Sequence, residues 1–197
     1  ITVDNAGAGN AIAAAGTGVI ELDALGTASD LLINDGILSA NGAIFMAAFN
    51  DVIFEADGDI ASTASNVRVR ADADNGGASS GALTMVDGTV INAGSGTIEF
   101  FADENITLGQ VTTTNTGTTA VTLTTREGGI VDGGDTGGAD VIAGGRLVID
   151  AVTGVGNGAG IETTVASVDI DNATSGNIEV SETDAITVFK AVQGTAG

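Results

Sequence analysis

Seven times along this chain a pair of apolar residues returns with one residue between its members: Ile20/Leu22, Ile44/Met46, Val67/Val69, Ile98/Phe100, Val121/Leu123, Leu147/Ile149 and Val168/Ile170. The first members lie 24, 23, 31, 23, 26 and 21 residues apart. Positions two apart lie on one side of a strand. Each pair therefore points one way, while Glu21, Arg68, Glu99, Thr122 and Asp169 point the other. Self-similarity at this period marks a solenoid. The longest interval holds Asp74-Asn75-Gly76-Gly77-Ala78-Ser79-Ser80-Gly81, which reads as an inserted loop.

Further short strands are expected between the pairs. They are Leu31 to Ile33, Val52 to Phe54, Leu83 to Val86 with Val90-Ile91, Ile106 to Leu108, Val141-Ile142, Ile178/Val180 and Ile186/Val188. Two or three strands per repeat fit one coil of a parallel β-helix. Seven or eight coils at about 4.8 Å each make a rod about 35 to 40 Å long. Residues 1 to 17 open with the alternating Ile1-Thr2-Val3-Asp4; the Ala- and Gly-rich stretch after it reads as loop or weak strand. Gly18, Gly42 and Gly96 each stand two residues before an inward residue, where a sharp corner calls for glycine. Phe45, Phe49, Phe54, Phe100 and Phe101 fall in two segments and are expected to cluster. Asp35-Gly36, Asn41-Gly42 and Asp87-Gly88 are hairpin signals, so an antiparallel β-sandwich is the alternative fold.

Composition agrees with a thin core. The 197 residues include 31 Gly and no Pro, Cys, Trp, Tyr or His, and aromatics are 3%. A narrow stack of Val, Ile and Leu needs few large side chains, and a missing proline leaves every ladder donor in place. The net charge of −21 argues against nucleic acid and anionic membrane surfaces, which are bound through Lys and Arg. Without cysteine there are no disulfides or thiolate metal sites. No apolar run is long enough for a membrane helix, so membrane insertion is not expected. The whole of 1–197 reads as a single solenoid segment, excised or processed from a longer repetitive protein.

The segments GVIELDA from Gly18, GAIFMAA from Gly42, GTIEFFADENITLGQV from Gly96 and AVTLTTREGGIVDGG from Ala120 resemble the β-strand repeats of very large bacterial surface proteins, the filamentous-haemagglutinin-like group. The resemblance covers most of residues 18 to 190. It implies a right-handed parallel β-helix and an extracellular, cell-surface location. It also implies a structural role in a sheath, filament or adhesin stalk, with copies of itself or adjacent repeats as partners. A carbohydrate-binding or carbohydrate-cleaving β-helix, with surface glycans as partner, is the alternative.

Catalysis by Cys or His is excluded by composition. The carboxylate pairs Asp57/Asp59, Asp72/Asp74 and Asp132/Asp135 have the residue type for glycoside hydrolysis. All sit in Gly-rich corners, where Asp is favoured for turn geometry alone, so no enzyme is expected. Hard cations bind clustered carboxylates, and calcium is the one cofactor the sequence offers. Its candidate ligands are Asp132, Asp135 and Asp140 in one Gly-rich stretch and Asp72 and Asp74 in another. Neither stretch matches an EF-hand or nonapeptide calcium motif, which favours solvated turns. Asn105 and Asn172 fit the N-glycosylation pattern. Thr112 to Thr119 reads as an exposed loop or β-face, or as a carrier of O-linked sugar. Arg68 and Arg70 are expected to face outward, within reach of acids on a neighbouring coil.

Overall fold

A computed structural model describes residues 1–74, 81–156 and 158–195. It is all-β, with parallel strands stacked as a solenoid of about eight coils. Each coil has three faces. The first carries β1 (Thr2–Val3), β4 (Leu31–Ile33), β7 (Val52–Phe54), β10 (Leu83–Met85), β13 (Ile106–Leu108) and β16 (Ile130–Asp132). The second carries β2 (Ile12–Ala14), β5 (Ile37–Ser39), β8 (Ile60–Ser62), β11 (Val90–Asn92) and β14 (Gln110–Thr113). The third carries β3 (Ile20–Ala24), β6 (Ile44–Ala48), β9 (Val67–Arg70), β12 (Ile98–Ala102) and β15 (Val121–Thr125). From coil six onward β17 (Val141–Ala151) and β18 (Ile161–Asn172) run through the second and third faces without a break. The last coil has β19 (Val180–Glu182) and β20 (Thr187–Gln193). Beyond β16 the first face is reduced to single bridges at Val155 and Ile178.

Among the described residues every strand pairing is parallel, so the sandwich alternative falls. The Asp-Gly and Asn-Gly pairs turn corners between faces rather than closing hairpins. The sequence repeat is the third face in register. Ile20 pairs Ile44, then Val67, Ile98, Val121, Leu147 and Val168, and the column ends on Val188. The column from Ile44 to Val168 is at most 3% exposed. Each coil is too thin to bury its own side chains; its neighbours above and below complete the core.

The second face was harder to read because its inward columns are half polar. One column runs through Ile37, Ile60, Ile91 and Val111; the next through Ser39, Ser62, Ala93 and Thr113. The hydroxyls serve the corner that follows. Ser39 Oγ donates to the Gly42 carbonyl and accepts from the Gly42 N–H. Thr113 Oγ1 donates to the Gly96 carbonyl at 2.6 Å and accepts from the Asn115 N–H. Buried hydroxyls satisfied this way are tolerated in a core. Thr112 and Thr113 therefore belong to β14, the β-face half of the reading for 112–119, and Thr113 is buried rather than exposed.

Two further expectations change. The five phenylalanines do not form one cluster, because adjacent strand residues point to opposite sides. Phe54 and Phe100 are fully buried, while Phe101 faces out beneath the guanidinium of Arg70, 4.8 Å from the ring centre. The expected inserted loop lies mostly at residues 75–80, outside the described residues. Gly42 and Gly96 are required by contact between coils and not by a left-handed backbone. A Cβ on Gly42 would stand 1.8 Å from the Gly18 carbonyl oxygen, and one on Gly96 2.3 Å from Ser65 backbone atoms, whereas Gly18 has open space. Gly42→Ala should therefore destabilise the fold by at least about 2 kcal/mol, the range for forced overpacking, while Gly18→Ala stays within about 0.5 kcal/mol. Urea unfolding of the pair checks this; equal midpoints would contradict it.

Candidate metal centre

Several Asp and Asn side chains that the sequence places at corners have backbone partners on the next coil. Asp30 Oδ1 accepts from the Asp51 N–H, Asp51 Oδ1 from Ala82, Asp59 Oδ1 from Val90 and Asn66 Oδ1 from Thr97. Asn105 Oδ1 does the same for Gly129. Each residue stands just before a strand, where the coil above has an N–H that the ladder does not use. These Asx braces satisfy backbone donors that would otherwise lack a partner. Asp59 and Asp51 are thus joinery, and the Asp59 carboxylate of the Asp57/Asp59 pair is engaged by the Val90 N–H.

Asp72 has a different partner from the one expected of it. It is fully buried, with φ +56°, and its Oδ2 lies 3.1 Å from Arg126 Nη1. The same nitrogen lies 3.1 Å from Asp103 Oδ1. Arg126 comes from coil five, Asp103 from the end of coil four and Asp72 from the end of coil three. One guanidinium therefore ties three successive coils and provides the counter-charge that the sequence reading gave to calcium. Burial, a hydrogen bond with Asp74 and the charge of Asp103 hold the Asp72 carboxyl above its ordinary range, against the pull of Arg126. Asp74 is exposed, and the rest of its stretch, Asn75 to Gly77, lies outside the described residues.

The remaining candidates divide. Asp132 and Asp140 come together with Glu162, which the sequence reading did not single out; one carboxylate oxygen from each lies within 4.8 Å of the others. Asp135 is exposed and stays outside this group. The register explains the convergence. Leu108 pairs with Asp132, so Asp132 ends the inward column in which Phe54, Met85 and Leu108 precede it. Asp140 stands one residue before Val141, and Glu162 one before Thr163, the partner of Val141. Asp140 and Glu162 are therefore stacked acids on adjacent coils, an arrangement that repels when both are ionised.

Local hydrogen bonds fix the three carboxyls. Asp132 Oδ1 accepts from the Gly134 N–H at 2.6 Å, and Asp140 Oδ2 accepts from the Glu162 N–H at 3.0 Å. The Gly-rich loop between them is pinned from the coils below. Gln110 Nε2 donates to the Gly137 and Ala139 carbonyls, and Asp87 accepts from the N–H and hydroxyl of Thr136. Gly134 has φ +133° and packs against the Asp87 carboxylate, a position closed to a side chain. Asp140 is 1% exposed, and its Oδ1 and the buried Glu162 Oε2 have no hydrogen-bond partner. Burial pushes the Asp140 carboxyl up to about 7, opposed by the Glu162 N–H and reinforced by the charges of Asp132 and Glu162.

The N-glycosylation candidates lie in opposite settings. Asn105 is exposed at a corner. Asn172 is 1% exposed at the end of β18, with Oδ1 accepting from Gly154 N–H and Nδ2 donating to Ser175 O and Gln193 Oε1. A sugar on that nitrogen would replace one of its two N–H groups and so break at least one of these donated bonds. No family model, curated protein or solved structure matches the chain.

Two measurements probe these carboxylates. Arg126→Ala leaves Asp72 and Asp103 buried without their cation and should lower stability by about 2 to 4 kcal/mol, the low side of the range for a broken buried pair because Arg126 is itself a third exposed. An unchanged denaturation midpoint would contradict that. For Asp140 the folded carboxyl holds its proton more tightly than the unfolded chain, so ionising it weakens the fold as pH rises from about 4 to about 7. In chelator-treated protein, thermal midpoints should fall across that window, and Asp140→Asn should flatten the fall; an identical slope in the variant would refute the assignment.

Proposed function

We propose that this chain is a structural segment of an extracellular bacterial surface assembly, a sheath, filament or stalk, extended by head-to-tail stacking of its coils. The observation that carries the reading is the state of the last coil. All seven residues of β20 are exposed, including Val188 at 59% and Phe189 at 62%. Beside it the core opens into an apolar groove of about 210 Å³ lined by Val168, Ile170, Ile178, Val180, Ile186 and Val188. An unpaired parallel edge next to open core invites another coil.

A second copy, or further repeats of the same chain, fits that end because the same columns continue. The outward column beside the repeat runs Glu21, Phe45, Arg68, Glu99, Thr122, Val148, Asp169 and then Lys190. One more step in this register brings Glu21 of the next copy over Lys190, opposite charges in directly paired positions. Repeating a contact between two different ends gives an open filament rather than a closed ring. The acidic flank limits lateral clumping. No bond-breaking chemistry is part of this role.

Sedimentation and electron microscopy test the proposal. Elongated oligomers should grow with concentration, and Val188→Lys, which puts a charge on the apolar groove, should leave monomers. A wild-type chain that stays monomeric as discrete particles at every concentration would overturn it.

A further inference from the structure

We infer that Asp132, Asp140 and Glu162 form a site for one hard divalent cation, calcium by the size and number of oxygens it accepts, clamping coil six to coil seven. The argument begins with what these groups lack. Asp140 Oδ1 and Glu162 Oε2 are buried with no hydrogen-bond donor, and no ion pair of the described residues includes either carboxylate. Buried anionic oxygens without donors are strongly disfavoured unless a proton or a metal lies between them. Elsewhere in the chain the buried carboxylates of Asp72 and Asp103 meet this need with Arg126. Here three carboxylates converge within 4.8 Å instead.

The chemistry of the donor set selects the ion. Only carboxylate oxygens converge, with neither imidazole nor thiolate in the sequence, which favours calcium, magnesium or manganese over softer metals. Calcium accepts six to eight oxygens at irregular angles, and the other positions are left for water and loop carbonyls. Magnesium demands a near-ideal octahedron that residues set by strand register are poorly placed to supply.

The position gives the ion a task. After β16 the described residues of the first face form only the bridges at Val155 and Ile178, so coils seven and eight are held mainly by their other two faces. Two ligands come from coil six and one from coil seven. The loop holding Asp132 and Asp140 is already fixed by Gln110 and Asp87, so little ordering is left for the ion to impose. Bound calcium would turn the like-charge stack of Asp140 and Glu162 into a bridge at the point where the backbone ladder thins.

The test is calorimetric titration of the chelator-treated, dialysed chain with calcium chloride, and separately with magnesium chloride, at constant ionic strength. The expected result is one calcium per chain, magnesium weaker, and a rise in thermal midpoint with calcium alone. Asp140→Asn keeps the acceptor for the Glu162 N–H and, like Glu162→Gln, should weaken calcium at least about tenfold, whereas Asp135→Asn should not. Binding that is absent at millimolar calcium, or equal in all three variants, would overturn the site; the first outcome means the carboxyls only share a proton, the second only diffuse screening of an acidic surface. Should the core variants fail to fold, manganese broadening of amide signals in the wild-type chain decides. Broadening centred on Gly134, Val141 and Glu162 supports the site, and broadening spread over the acidic surface refutes it. Neither arm depends on oligomer formation, so this site and the stacking role can fail separately.

Discussion

Everything in this molecule depends on one coil lying flat on the next with its backbone hydrogen bonds made and its inward side chains in register. The contact is parallel and repeats through about eight coils. It sets a narrow interior, because each face sends only two or three side chains per coil inward. Aliphatic residues fill that space, and the rare large ones, Phe54 and Phe100, are fully buried in it. It also fixes where glycine is needed. Gly42 meets the carbonyl of Gly18 directly, so the demand comes from the neighbouring coil and not from local backbone geometry.

The same stacking explains much of the acid content. A net charge of −21 first reads as a solvated surface, yet Asp30, Asp51 and Asp59 each hold a backbone N–H of the following coil. Short carboxylates reach such donors at corners where the ladder breaks. Where a carboxylate is driven into the core, its need for a partner changes. Asp72 and Asp103 share Arg126, while Asp140 and Glu162 have only each other and Asp132. The first arrangement is a completed clamp; the second is a clamp completed by a proton or an ion.

How much was legible follows from this physics. The third face could be read residue by residue, since its inward positions are nearly all large and apolar, from Ile20/Leu22 to Val168/Ile170. The strands β5, β8 and β14 were not, because Ser39, Ser62 and Thr113 occupy inward positions and break the apolar pair. Loop composition points to Asp132 and Asp140, but Glu162 is hidden in an ordinary alternating strand. The signal that would have found it is vertical: Glu162 follows Asp140 by one coil length, as Asp132 follows Leu108. Acids separated by the repeat length stack in space however far apart they lie in sequence.

Parallel stacking in register can be read directly as a ruler, and the absence of native cysteine makes the labels easy to place. Spin labels on Glu21→Cys paired in turn with Thr122→Cys, Val148→Cys and Asp169→Cys lie four, five and six coils apart on one outward column. Pulsed electron resonance should return distances near 19, 24 and 29 Å, rising by about 4.8 Å per coil. Distances that fail to rise in that order, or that collapse together as in a closed two-sheet sandwich, would contradict the solenoid.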